Sequence, residues 1–244
     1  MDTAATYSMP IADSSVMEWN GGKLRLHKFY GIKPLDQALR SVSVSLAPST
    51  LGLDSISEWQ FFEFLIDMGP VYAIWSLESS RPANRRSPAY YTLTWFVGIG
   101  TVVPLFYFLC IAFGPSAFEL TKVPRRRGCW KDDGRTIVPV IMLFHAAAAP
   151  HSLPTLFMPS PEPQAGLMLH MRKAFQVDEI ITIVSNGLWL AYSFAELHLV
   201  GLLDKEAAGY VAMYPLMVLL TGPGMAFAMV WQLREDILDG MRTS

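Results

Sequence analysis

Residues 90–113 read YYTLTWFVGIGTVVPLFYFLCIAF, 24 residues without one charged side chain. A helix that crosses a bilayer needs roughly 20 mostly apolar residues. A core helix of a soluble domain is shorter and shows a polar face at helical period, and this run has none. It therefore predicts a membrane protein. Composition agrees: 52% of the chain is hydrophobic and 16% charged, against about 25% charged in ordinary soluble domains. Four further windows have the length and apolar content of a span, at about 59–77, 136–158, 180–203 and 208–233. The expected fold class is all-α, a polytopic membrane bundle of about five helices.

Prolines interrupt the windows at Pro70, Pro104, Pro139, Pro150, Pro154, Pro215 and Pro223. Each removes an intrahelical hydrogen bond, and in lipid the freed carbonyl needs a partner from protein or water. Kinked helices of this kind leave room for a pocket, although packing alone also explains them. Residues 1–57 read as a polar, partly interfacial N-terminal region, 58–235 as the bundle and 236–244 as a C-terminal tail. The N-terminus has no basic stretch followed by an apolar run, so no signal peptide is expected. Insertion then depends on the internal segments, and the expected site is the endoplasmic reticulum. Clustered arginines in KVPRRRGCWKDDGR favour a cytosolic N-terminus.

Several function classes drop out. A net charge of −2 gives no basic surplus for nucleic acid. There is no Gly-rich phosphate loop and no zinc-type cysteine spacing. Cys110 and Cys129 are too few for a disulfide framework. His145 and His151 are six residues apart, off the i, i+4 spacing of a helical metal pair, so no metal is expected.

The chemistry that remains is carboxylic. Ionisable groups within spans are costly and usually face protein or water. The first window and its edge hold Glu63, Asp67 and Glu78. Glu63 and Asp67 are i, i+4, and Glu78 follows Asp67 by eleven residues, an offset of about 20° at 3.6 residues per turn. All three lie on roughly one face. A buried carboxylic acid that keeps its proton is a general acid. Glu63 also reads as the polar rim of its helix, and Glu78 as the partner of Arg81 at i+3. In the fourth window Glu196 sits within an apolar stretch, while Asp178 and Glu179 read as caps at the start of that helix. Aromatic side chains near these acids, Tyr72, Trp75, Trp189 and Tyr192 among them, pack or line a pocket where their π-faces stabilise a cation.

The run DMGPVYAIWSLESSRPANRRSP followed by GIGTVVPLFYFL resembles a group of polytopic membrane proteins of fungal secondary-metabolite pathways, which includes the membrane-bound terpene cyclases of meroterpenoid biosynthesis. The matching positions are Trp75, Glu78, Ser79, Arg81, Asn84, Arg85, Gly98, Gly100, Pro104, Leu105, Phe106 and Tyr107, and the good match covers about a fifth of the chain. The resemblance implies cyclisation of a prenyl chain, started by protonation of an olefin or terminal epoxide, with no metal or other cofactor. The Asn-x-x-Trp-Glu motif of another class of fungal membrane cyclases is absent, as are the Asp-rich metal motifs of soluble terpene synthases.

These readings together give Asp67, Glu78 and Glu196 as candidate catalytic acids, and Tyr72, Trp75, Arg81, Asn84, Trp189 and Tyr192 as candidate substrate-binding residues. The expected partners are a hydrophobic prenylated molecule and the lipid bilayer. A small transporter or pathway scaffold, or a sterol-type membrane isomerase, would use the same intramembrane acids and is the alternative.

Overall fold

A computed structural model describes residues 16–19, 22–25, 31–36, 46–47, 49–52, 54–79, 99–121, 151, 153–162 and 167–243. A short antiparallel hairpin comes first, strands β1 (Val16–Trp19) and β2 (Gly22–Arg25), with Val16 opposite Arg25 and Trp19 opposite Gly22. The rest of the regular structure is helical: α1 (Ser55–Ser79), α2 (Ile99–Phe113), α3 (Ala117–Thr121), α4 (Leu153–Phe157), α5 (Leu167–Leu199), α6 (Lys205–Ala212), α7 (Tyr214–Thr221) and α8 (Pro223–Thr243). The helical class thus holds, with the hairpin as an addition to it.

Two compact units divide the chain, 1–62 with 150–178, and 63–149 with 179–244. This grouping follows contacts in space, whereas the expected segments 1–57, 58–235 and 236–244 follow polarity along the chain. Residues 236–243 belong to α8, where Leu238 is fully buried, and are not a separate tail.

In the first unit, Asp54 opens α1. Its carboxylate accepts from the Ser57 backbone N–H (3.0 Å), from the Ser57 hydroxyl and from Arg172 Nη2 (2.5 Å). Burial pushes this carboxyl up, but the hydrogen bonds from Ser57 and Arg172 and the Arg172 charge outweigh it, and Asp54 lies below its ordinary value. Gln60 is buried and donates to the carbonyls of Leu156 (3.2 Å) and Arg172 (3.5 Å). His151 lies 3.4 Å from Ser55 Oγ. His145 falls outside the described residues.

In the second unit the core is aromatic. Trp75 of α1 stacks on Phe106 of α2 with centroids 4.5 Å apart, and Tyr107 stacks on Trp189 of α5 at 5.0 Å. Phe227 of α8 closes against Tyr107 and Trp189. Polar tips are satisfied inside this cluster: Trp75 Nε1 donates to Tyr107 Oη (3.1 Å), which donates to Asn186 Oδ1 (2.7 Å). A buried hydroxyl or indole N–H needs such a partner.

The spans come out differently from their expected bounds. The fourth begins at Leu167, thirteen residues before the expected start, because LMLHMRKAFQVDE has no proline or glycine to stop a helix. The fifth, expected as one helix over 208–233, is α6, α7 and α8. Met213 separates the first two, with Pro215 in the first turn of α7, and Gly222 (φ 88°) precedes Pro223 at the start of α8. That positive φ suits glycine alone, and proline fits a first helical turn because its missing N–H would have no partner there. Among the described residues one helix, Leu169–Leu199, is long and apolar enough to cross a membrane, and Ile99–Phe113 is a shorter apolar helix. The 25-residue α1 carries Glu58, Glu63, Asp67 and Glu78. Residues 90–98 and most of 136–158 lie outside the described residues.

Candidate carboxylate site

Helix α1 brings Glu63 and Asp67 onto one face, one turn apart, and α5 sets Glu179 against them. One oxygen from each carboxylate lies within 4.8 Å of the other two. The three residues are 0%, 3% and 1% exposed. Asp67 Oδ1 accepts from the Gly224 backbone N–H at 2.9 Å, so Asp67 occupies the N-terminal end of α8, where donors without helical partners and the helix dipole favour negative charge. Asp67 Oδ2 and both oxygens of Glu63 and of Glu179 have no hydrogen-bond donor from outside the three carboxylates among the described residues.

The close approach of α1 and α8 depends on Gly224. A Cβ there would lie 2.2 Å from the Asp67 carbonyl oxygen and 2.6 Å from its Cα. No side chain fits, so glycine is what lets the α8 amide reach the Asp67 carboxylate. The TGPG stretch thus supplies a break, a helix start and a close contact in succession.

Glu78 belongs to a separate group. It lies eleven residues beyond Asp67, about 16 Å along α1 at 1.5 Å per residue. Its Oε1 accepts from Trp231 Nε1 (2.9 Å) and from Arg234 Nη1 (3.1 Å). Arg234 also contacts Glu235 Oε1 (2.8 Å), and its guanidinium lies 5.4 Å from the centroid of the Trp189 ring. Hydrogen bonds of this charge-assisted kind are among the stronger ones. Glu78 is therefore a clamp between α1 and α8, with Trp231 and Arg234 as its partners among the described residues. Arg81 and Asn84 lie outside the described residues.

Glu196 corrects the expectation of an interior acid. It is only half-buried and accepts from the hydroxyl of Tyr192 (3.0 Å), which is itself 40% exposed. The interior face of α5 is instead the series Glu179, Thr182, Asn186, Leu190, Ser193 and Leu197, all buried at three- and four-residue spacing. Glu196 and Tyr192 fall off that face. Of the expected binding residues, Trp75 and Trp189 sit in the aromatic cluster and Tyr72 packs edge-on against Trp75 at 5.8 Å.

From the sequence Glu179 reads as a cap, because the apolar stretch begins at 180. In the structure Glu179 lies twelve residues inside α5, where capping has no meaning. Its signal was present in the spacing to Thr182, Asn186 and Leu190. Arg234, the cation that fixes Glu78, had no local signal, since 156 residues separate the partners.

Three carboxylates in this confinement cannot all be charged. At an effective dielectric of 20, each pair of unit charges 4.8 Å apart repels by about 3.5 kcal/mol, before the cost of burial is added. No cationic side chain among the described residues pairs with any of the three. The group must hold protons or a cation. Comparison with protein-family models, with curated proteins and with solved structures finds no match for this chain.

Proposed function

We propose that the protein is an integral membrane terpene cyclase that starts ring closure with a carboxylic proton. The observation that carries this reading is the buried cluster of Glu63, Asp67 and Glu179. A proton held there is a Brønsted acid in a water-poor setting, where proton transfer to a weakly basic substrate is least opposed by solvent. A carboxyl O–H of Glu63 or Glu179 protonates a terminal epoxide oxygen or an alkene carbon. The neighbouring alkene supplies the electron pair that closes the ring. Loss of a proton from the final cation restores the acid, and the product is an isomer of the substrate. Asp67, tied to Gly224, positions the other two. Trp75, Tyr107 and Trp189 lie beyond Asp67 along the bundle; each has a face stacked on another ring, and the proposal assigns the stabilisation of the developing cation to the rest of this aromatic cluster.

The membrane setting is part of the proposal. Ile180, Val184 and Leu188 form an exposed stripe at four-residue spacing on α5, opposite the interior face, and Leu105 and Phe108 are exposed on α2. Facing lipid, such side chains cost nothing. A five-span arrangement in the endoplasmic reticulum, with a prenylated aromatic or polyketide substrate entering from the bilayer, extends the same reading.

The test supplies purified, folded protein in detergent with prenylated and epoxidised precursors, followed by a search for a ring-closed product of unchanged mass. Glu63→Gln or Glu179→Gln should lower turnover by 100-fold or more, in line with loss of a general acid. Glu196→Gln should leave it within about twofold. Folded protein that yields no isomer across the precursor set overturns the proposal. Movement of a double bond without ring closure would replace it with an isomerase.

A further inference from the structure

The same three carboxylates have the make-up of a cation site. They are hard oxygen donors, which suit Ca²⁺, Mg²⁺ and Mn²⁺. They come from facing helices, two from one and one from the other, as metal ligands in helical bundles do. Their oxygens lie within 4.8 Å of one another. Three oxygens that all bind one ion at about 2.4 Å lie no more than about 4.2 Å apart, so donors within 4.8 Å of one another reach an ion of calcium's size by moving inward by at most about 0.4 Å each, and a smaller ion by a larger contraction.

An independent feature points to a ligand. Glu63 and Glu179 are almost completely inaccessible, and among the described residues no group outside the cluster donates to either oxygen of each. Buried carboxylate oxygens without partners are rare because the unmet desolvation is costly. The Gly224 N–H occupies Asp67 Oδ1 and leaves Oδ2 for an ion. A dication among three carboxylates leaves one negative charge, beside the N-terminal end of α8.

We infer that Glu63, Asp67 and Glu179 bind one hard divalent cation of about the size of Ca²⁺ or Mn²⁺, and that the ion silences the acid by taking the oxygens that would carry its protons. The binding site stands on the geometry alone, whereas the silencing rests on the proposed acid function. Magnitudes follow from the ligand count: loss of one of three carboxylates should weaken binding at least tenfold.

Purified full-length protein in metal-free detergent buffer is titrated with Mn²⁺, and the free-ion EPR signal is read. One equivalent should bind, and Ca²⁺ should displace it. The thermal midpoint of the parent protein should rise with Mn²⁺ concentration, as it does for any ligand of the folded state. Glu63→Gln and Glu179→Gln, where folded, should lose the site, and Glu196→Gln should keep it. No Mn²⁺ uptake by the parent at millimolar ion, or uptake unchanged in folded Glu63→Gln and Glu179→Gln, overturns the inference. If Mn²⁺ binds but no precursor is ever cyclised, the cation site stands and the cyclase reading fails. If precursors are cyclised at a rate that Mn²⁺ does not change and no ion binds, the cyclase stands and the cation site fails.

Discussion

The Glu78–Arg234 contact decides whether Glu78 is an anchor or a proton donor, and stability measurements separate the two. Arg234 Nη1 contacts Glu78 at 3.1 Å and Glu235 at 2.8 Å, with all three side chains buried. Arg234→Met removes the guanidinium from two carboxylates at once. Breaking a buried ion pair from one side costs about 3–5 kcal/mol, because the remaining charge stays desolvated. Glu78→Gln is milder. It keeps an acceptor for Trp231, and Arg234 keeps Glu235, so the loss is the difference between a charge-assisted and a neutral hydrogen bond, about 1–2 kcal/mol. At roughly 2–4 °C per kcal/mol for a chain of this size, Arg234→Met should lower the thermal midpoint by about 6–20 °C and Glu78→Gln by about 2–8 °C. The double variant should cost less than the sum of the singles by about 1–3 kcal/mol, the coupling expected of side chains in contact. Thermal unfolding in detergent, followed by tryptophan fluorescence, reads all three, and Trp231 itself lies against Glu78. A midpoint for Arg234→Met within a degree of the parent, or additive losses in the double variant, would refute the clamp. On the functional side, Glu78→Gln should retain turnover where Glu63→Gln does not.

Two further outcomes follow from the structure. Gly224→Ala forces a methyl group to 2.2 Å from the Asp67 carbonyl oxygen; such backbone overlap should cost about 1–3 kcal/mol or more. Gly69→Ala, where a Cβ meets nothing within 4 Å, should leave the thermal midpoint unchanged or raise it by the helix propensity gained, up to about 1 kcal/mol, and equal melting of the two variants would show that the α1–α8 approach is not tight. Asp54 sits below its ordinary value of 3.8, so the folded state favours its charged form, and the stability it adds is present above about pH 4 and drains away as pH falls further. Asp54→Asn keeps the helix cap but not the charge, so parent and variant should differ by about 1 kcal/mol or less at pH 6, given solvent screening, and converge as pH falls through the lowered value of Asp54 in the folded state; a gap that widens on acidification would contradict this sign.

The helical class was legible from the long apolar runs by themselves, because length and hydropathy are local properties; among the described residues one helix, Leu169–Leu199, is long and apolar enough to cross a membrane. The one-face placement of Glu63 and Asp67 was equally legible, since the pitch of a helix converts spacing into direction. Helix ends were less so: α5 starts well before its apolar stretch, and the expected fifth span breaks at Met213 and Gly222. What each acid meets was decided only by the tertiary structure. Glu179 changes from a cap to a member of the buried cluster once α5 lies against α1. Glu78 meets Arg234, 156 residues away, a partner that no local spacing announces. Glu196 turns outward because the buried stripe of α5 runs through Asn186 and Leu197 instead. Charge partners are set by which helices pack together, and that depends on contacts such as Gly224 on Asp67, which involve no pattern within either segment.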